Sequence, residues 1–136
     1  MSTRTFATIF GIVFLLVGIA GFVPQLVTSG AEVHPLSVDT DHGMLLGLFP
    51  ISPLHNVVHL LFGVWGLYAG RSAGNAVIYA RGVALIYALL TVAGFIPGLS
   101  DGFGLVPLYG NDIWLHAALA VVAAYFGWVH RNPAAA

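Results

Sequence analysis

The sequence contains no cysteine and no lysine, and it has very few charged residues of either sign. Without cysteine there are no disulfides, thiolate nucleophiles or iron–sulfur sites, so any metal site must use histidine and carboxylate. Only 7% of the 136 residues are charged, whereas a soluble domain typically has about 25%. The formal net charge of -1 leaves no basic surface to neutralise phosphates, which argues against nucleic acid as a partner.

Hydrophobic residues make up 59% of the chain and gather into four long stretches. Each stretch approaches the roughly 17 to 25 residues that a helix needs to cross a bilayer. Since the alternation of a membrane strand is missing, we predict an all-α fold, a bundle of four transmembrane helices in a single domain of residues 1–136. The predicted helices cover residues 5–24, 53–70, 76–97 and 112–130, with an outer loop at 25–52.

The few arginines indicate how the bundle is oriented. Arg4, Arg71 and Arg131 all fall on one side of a four-span topology, and positive residues favour the cytoplasmic side. The sequence therefore predicts a multi-pass protein of the bacterial cytoplasmic (inner) membrane with both termini in the cytoplasm. Its expected partners are the lipid bilayer and either a second copy of the chain or another membrane protein.

The chain has the pattern of a duplicated helical hairpin. At a constant offset of 57 positions, the second stretch matches the fourth, so that His55 aligns with Asp112 and His59 with His116. Small residues follow each histidine at helical spacing, as on the faces that membrane helices use for close packing. We therefore predict a parallel repeat, with His59 and His116 directed into the bundle.

The pairs His55-x-x-x-His59 and Asp112-x-x-x-His116 form the candidate functional site. Residues four apart share one helical face, and both pairs are predicted near the outer end of their helices. Three histidines and a carboxylate suit a divalent transition metal such as Zn, Fe, Mn or Cu. Three further residues are candidate accessory groups: His34, His42 and Asn56.

Other roles for the same residues stay open. Asn111 or Asp112 is predicted to cap the fourth helix, and His59 and His116 could be hydrogen-bonded to each other across helices. The cluster would then be structural, in a membrane interaction protein or a pH sensor. A bis-histidine haem is a further alternative, but it is disfavoured because every arginine lies at the opposite face. No nucleophile motif is present, so no catalytic residue is predicted.

At these residues the chain resembles a bacterial family of small four-helix integral membrane proteins described as a domain of unknown function. The resemblance covers nearly the whole chain and is carried by three motifs. They are Gly47-Leu48-Phe49-Pro50, Leu54-His55-Asn56-Val57-Val58-His59 and Asn111-Asp112-Ile113-Trp114-Leu115-His116. The family often has glycine where this chain has Ala120, four residues after the second histidine. The resemblance implies the four-helix membrane fold and no particular activity.

Overall fold

The computed structural model describes residues 1–29 and 43–130, and within them it confirms the four-helix architecture. The helices are α1 (Thr3–Ala20), α2 (Pro53–Ala69), α3 (Ala73–Phe95) and α4 (Asn111–Ala124). The last turn of α4 widens into a π-helical turn at Tyr125–Val129, so that the helical run reaches residue 129. The runs 3–20, 73–95 and 111–129 are long and apolar enough to cross a membrane. Helix α2 has 17 residues, at the lower limit for a span.

The helix ends differ from the predicted bounds for local reasons. Helix α1 ends at Ala20 because a turn follows it and Pro24 then begins a short 3-10 helix, Pro24–Leu26. Helix α3 begins at Ala73, three residues earlier than predicted. The hydroxyl of Ser72 accepts a hydrogen bond from the Asn75 amide at 3.2 Å, which caps the first turn.

Close backbone contact holds α1 against α2. A Cβ atom added to Gly66 would lie 2.7 Å from the Cα of Gly11, so only glycine allows this separation of the two helices. A Cβ atom added to Gly63 would meet the side chain of Leu15 on α1 and, at 2.9 Å, its backbone nitrogen. The small residues that the sequence places on one face of α2 therefore form the α1–α2 interface, as membrane helices commonly arrange them.

The two hairpins share a distinctive end, which supports the duplication. In the first, Arg4 donates from Nε to the carbonyl of Gly70 at 3.0 Å. In the second, Arg81 donates from Nε to the carbonyl of Gly127 at 2.9 Å. The two glycines are 57 positions apart, as the repeat requires. Each cation thus satisfies a carbonyl where a helix ends, which also complements the helix dipole.

We call this end of the bundle, where α1 and α3 begin, the far end, and the opposite end, where α2 and α4 begin, the site end. Aromatic rings fill the core near the far end. Phe6 and Phe126 are stacked with their centroids 4.6 Å apart, which joins α1 to the end of α4. The hydroxyl of Tyr79 donates to the Phe62 carbonyl at 3.3 Å. Phe6 and Tyr79 are fully buried.

A small antiparallel sheet, not predicted from the sequence, lies at the site end. Its strands are β1 (Val27–Thr28), β2 (Gly43–Leu45) and β3 (Phe49–Ile51), in that order. Leu46 and Gly47 make the β2–β3 turn with φ of 53° and 68°. The apolar segment Met44–Phe49 is too short to span a membrane. It forms a hairpin because the two short strands pair, with Leu45 opposite Phe49.

One side chain ties this hairpin to the bundle. The Asn111 amide donates from Nδ2 to the Leu48 carbonyl at 3.0 Å, and β3 also contacts α4. Leu45 and Ile51 are buried. The β2–β3 hairpin therefore packs on the site end of the bundle.

Candidate metal centre

The start of α2 positions three polar side chains inside the bundle. The Ser52 hydroxyl accepts a hydrogen bond from the His55 amide at 3.1 Å, and Pro53 occupies the first helical position. Ser52 therefore caps α2, and a serine followed by proline is a pattern typical of a helix start. His55, Asn56 and His59 are 4%, 1% and 6% exposed, so all three lie in the interior and not in water at the interface.

The start of α4 differs from the prediction. Neither Asn111 nor Asp112 caps the helix, because Gly110 occupies the cap position with a φ of 66° and no side-chain cap is made. The Asn111 amide is instead bonded to the β2–β3 turn. The Asp112 side chain is only 2% exposed. Capping therefore does not account for this carboxylate, which faces two imidazoles.

Three of the four predicted ligands come together around the Asp112 carboxylate. Its Oδ2 lies 3.3 Å from Nε2 of His116 and 3.8 Å from Nε2 of His55. One ligand atom from each residue can be chosen so that all three lie within 4.8 Å of one another. The group joins α2 to α4, the helices that correspond in the repeat.

His59 lies beside this group but outside it. Its ring centroid is 4.5 Å from that of His55. On its other side, the ring is nearly parallel to Phe14 of α1, with an interplanar angle of 20° and centroids 5.9 Å apart. Of the two predicted pairs, the structure thus groups three residues and places the fourth next to α1.

We call the buried polar residues at this point of the bundle the cluster: His55, Asn56, His59, Asp112 and His116. Several of their polar atoms have no hydrogen-bond partner among the described residues. They are Nδ1 of His55, His59 and His116, Nε2 of His116, Oδ2 of Asp112 and Oδ1 of Asn56. The hydrogen bond considered between His59 and His116 is therefore not supported by the geometry of His116. Buried polar groups are normally satisfied, and a concentration of unsatisfied ones calls for a bound ion or water.

Two cavities reach the cluster from different directions. At the site end, a recess of about 350 Å³ extends from Ser29 and Gly43 to Asn56. The second is a cleft of about 120 Å³ between α1 and α4, which we call the α1–α4 cleft, and it ends on His59. Its other lining residues are all apolar: Ile9, Phe10, Val13, Phe14, Val17, Leu115 and Leu119.

The accessory residues have different outcomes. Asn56 is buried at the edge of the cluster, where a Cβ atom on Gly21 would collide with its amide. His34 and His42 lie outside the described residues. Tyr87 was not predicted as part of the site, yet its ring stands edge-on to His116 with centroids 4.9 Å apart. The position of Tyr87 in the middle of an apolar helix was the one feature of the sequence that could have indicated a role at the site.

Comparison with known proteins gives a family. The sequence model of the family described as "Domain of unknown function (DUF4383)" matches residues 4–129. The chain belongs to the DUF4383 family. The match includes all four helices and every residue of the cluster, so the arrangement described here lies within the DUF4383 domain. No curated protein and no solved structure matches the chain.

Proposed function

We propose that this DUF4383 protein is a metal-binding protein of the bacterial inner membrane, with one divalent transition metal ion held by His55, Asp112 and His116. The observation that carries the proposal is the convergence of both Nε2 atoms on one carboxylate oxygen. Its termini would be cytoplasmic and its metal centre near the outer face. The bilayer would be its immediate partner.

The separations of the three groups fit a metal ion. Ligands about 2.0 to 2.2 Å from a tetrahedral ion lie about 3.3 to 3.6 Å from each other. The His116 to Asp112 distance of 3.3 Å is already in this range. The His55 to Asp112 distance of 3.8 Å is slightly longer, and all three ligand atoms lie within 4.8 Å of one another, so the histidine side chains would rotate inwards to close the set.

Charge also favours a cation at this position. Among residues 1–29 and 43–130, the groups at ion-pair distance from Asp112 are the imidazoles of His55 and His116. No arginine in that part of the chain forms an ion pair with it. A buried carboxylate is costly unless it is paired or bound to a metal, and a divalent ion would supply the missing charge.

The donor set narrows the choice of metal. Two histidines and one carboxylate are a common set for non-haem Fe(II), and they also serve Zn²⁺ in sites that keep an open position. Mn and Cu are bound by similar donors. A three-residue set leaves at least one coordination position for water or another ligand.

Metal content tests the proposal directly. The protein would be purified in detergent, stripped with a chelator, offered Zn²⁺, Fe²⁺, Mn²⁺ and Cu²⁺ separately, desalted and measured by elemental analysis. We expect about one ion per chain with at least one of these metals. The variants Asp112→Asn and His116→Ala should retain less than about a tenth of it.

The matched control is His130→Ala. His130 lies after the π-helical turn, at the far end, and should not alter metal content. Circular dichroism would confirm that each variant keeps its helices. Absence of a stoichiometric metal in the wild-type protein would refute the proposal, as would equal loading of the wild type and a helical Asp112→Asn variant.

Orientation can be tested on the same chain, because it has no cysteine of its own. Ser29→Cys places a thiol at the site end, and Gly74→Cys places one at the beginning of α3, near the far end. In intact cells with a permeable outer membrane, an impermeant maleimide should label Ser29→Cys and label Gly74→Cys only after lysis. The reverse pattern would contradict cytoplasmic termini.

A further inference from the structure

We propose that the α1–α4 cleft binds the head of a membrane-soluble single-ring quinone or the corresponding phenol, with His59 as its hydrogen-bonding partner. The proposal goes beyond metal binding and does not require it. It follows from the shape of the cleft, its lining, and the one polar side chain at which it ends.

The cleft opens where the bundle widens. Near the far end, α1 and the last turn of α4 are joined by the stacked rings of Phe6 and Phe126. Towards the site end the two helices separate, and the cleft lies between Val17 of α1 and Leu115 of α4. Val13 on its rim is 45% exposed. In a membrane, this opening would face the hydrocarbon and not water.

The size of the cleft fits one ring. Its volume is about 120 Å³, close to the roughly 150 Å³ of an apolar cavity that binds benzene. A porphyrin or other large cofactor would not fit, since such ligands occupy pockets of about 300 to 1,000 Å³. A long tail attached to the ring would remain in the lipid.

The lining selects an uncharged head. All the lining side chains except His59 are apolar, and no charged residue is among them. A carboxylate or phosphate would therefore lose its hydration without gaining a cation. Phe10 and Phe14 provide flat surfaces on which an aromatic or quinonoid ring packs well.

His59 supplies the single polar contact. It is 6% exposed and lines the end of the cleft, while its Nδ1 is enclosed by protein and has no hydrogen-bond partner among the described residues. A neutral imidazole has one donor and one acceptor nitrogen, so it can donate to a quinone carbonyl or accept from a phenol hydroxyl. An ordinary acyl chain cannot form a hydrogen bond with the imidazole, which distinguishes the proposed ligand from bulk lipid.

Photolabelling in lipid nanodiscs tests the site. The probe is an azido-benzoquinone with a decyl tail, and labelled peptides are located by mass spectrometry. Two competitors are compared: decylbenzoquinone, and decylcyclohexane, which has the same tail and a ring without oxygen. We expect labels on cleft-lining residues of α1 and α4, with decylbenzoquinone competing at about a tenth of the concentration.

Three variants and a control locate the interaction. His59→Leu should abolish the preference for decylbenzoquinone over decylcyclohexane. Leu119→Trp and, from the α1 side, Val13→Trp should fill the cleft and remove most of the labelling. Leu89→Trp on α3, where the side chain is 69% exposed, should change nothing. Two filling variants are used so that the failure of one to fold does not decide the result.

Three other results would each overturn the proposal. Equal competition by both compounds in the wild type would show that the cleft holds lipid chains, and would overturn the proposal. Labels spread evenly over the lipid-facing sides of all four helices would do the same. A second copy of the chain covering the cleft would appear as labelling that increases when the protein is diluted to one chain per nanodisc. That would assign the cleft to a chain–chain interface and also overturn the proposal.

Discussion

Replacing Gly66 by alanine tests the contact that sets the position of α1 against the site. The new Cβ would lie 2.7 Å from the Gly11 Cα, 2.8 Å from the Ala7 carbonyl oxygen and 2.8 Å from the Tyr79 hydroxyl. Carbon atoms prefer about 3.5 to 4.0 Å. Since two of these three neighbours are backbone atoms, α1 must move away from α2 by about 0.7 to 1.0 Å.

The cost follows from that displacement. A gap of about 0.5 to 1 Å removes a quarter to a half of the attraction at each atom pair, and each pair is worth about 0.1 to 0.2 kcal/mol. The α1–α2 interface extends over the length of both helices, with Gly11, Gly63 and Gly66 in backbone contact. We therefore expect Gly66→Ala to lower the free energy of unfolding by about 1 to 3 kcal/mol, the usual range for overpacking.

The assay is reversible unfolding by sodium dodecyl sulfate in mixed micelles, followed by tryptophan fluorescence. Gly74→Ala is the matched control, because an added Cβ there meets nothing within 4 Å. It should be neutral, or stabilising by up to about 1 kcal/mol, since alanine favours the helix. If Gly66→Ala changes the unfolding free energy by less than about 0.5 kcal/mol, as a surface substitution would, the close packing argued here is wrong.

Three further predictions concern the ends of the helices. Gly110→Ala should lower the unfolding free energy by about 1 to 2 kcal/mol, because alanine is strained at a φ of 66°; an unchanged midpoint would contradict the assigned backbone. Asn111→Ala should cost about 0.5 kcal/mol and speed hydrogen exchange in the β2–β3 turn, because the bond to the Leu48 carbonyl is lost. Unaltered exchange there would show that the turn is held by other contacts. Arg81→Leu should lower the free energy of unfolding by about 1 kcal/mol, because the hydrogen bond to the Gly127 carbonyl is lost. An unchanged free energy of unfolding would show that this hydrogen bond does not stabilise the bundle.

Much of the helical frame could be predicted from local signals. Ser52 followed by Pro53 indicated where α2 starts, and this placed His55 in the first turn. The length of each apolar stretch predicted the four helices. The alignment of the two halves also predicted that His55, Asp112 and His116 would meet, because it placed them at one depth on helices that pack in one bundle.

The remaining features depend on contacts between distant residues. The cap at Gly110 could not be recognised, because its function there depends on a positive φ that the sequence does not display. The strands β2 and β3 have only three residues each, too few for a clear alternation, and Gly47 was the main sign of their turn. The position of His59 depends on its contact with Phe14 of α1, and the α1–α4 cleft is formed by residues of two helices that are distant in sequence.

The aromatic packing near the far end bears on whether ions or small molecules could pass along the bundle. Phe126 and Tyr79 are buried there, each against the ring of Phe6, whereas the recess and the cleft that reach the cluster both lie towards the site end. Both cavities are thus separated from the far end by these rings, although they open in different directions. The cavities described here are therefore places where a ligand can bind, and together they do not form a continuous path along the bundle.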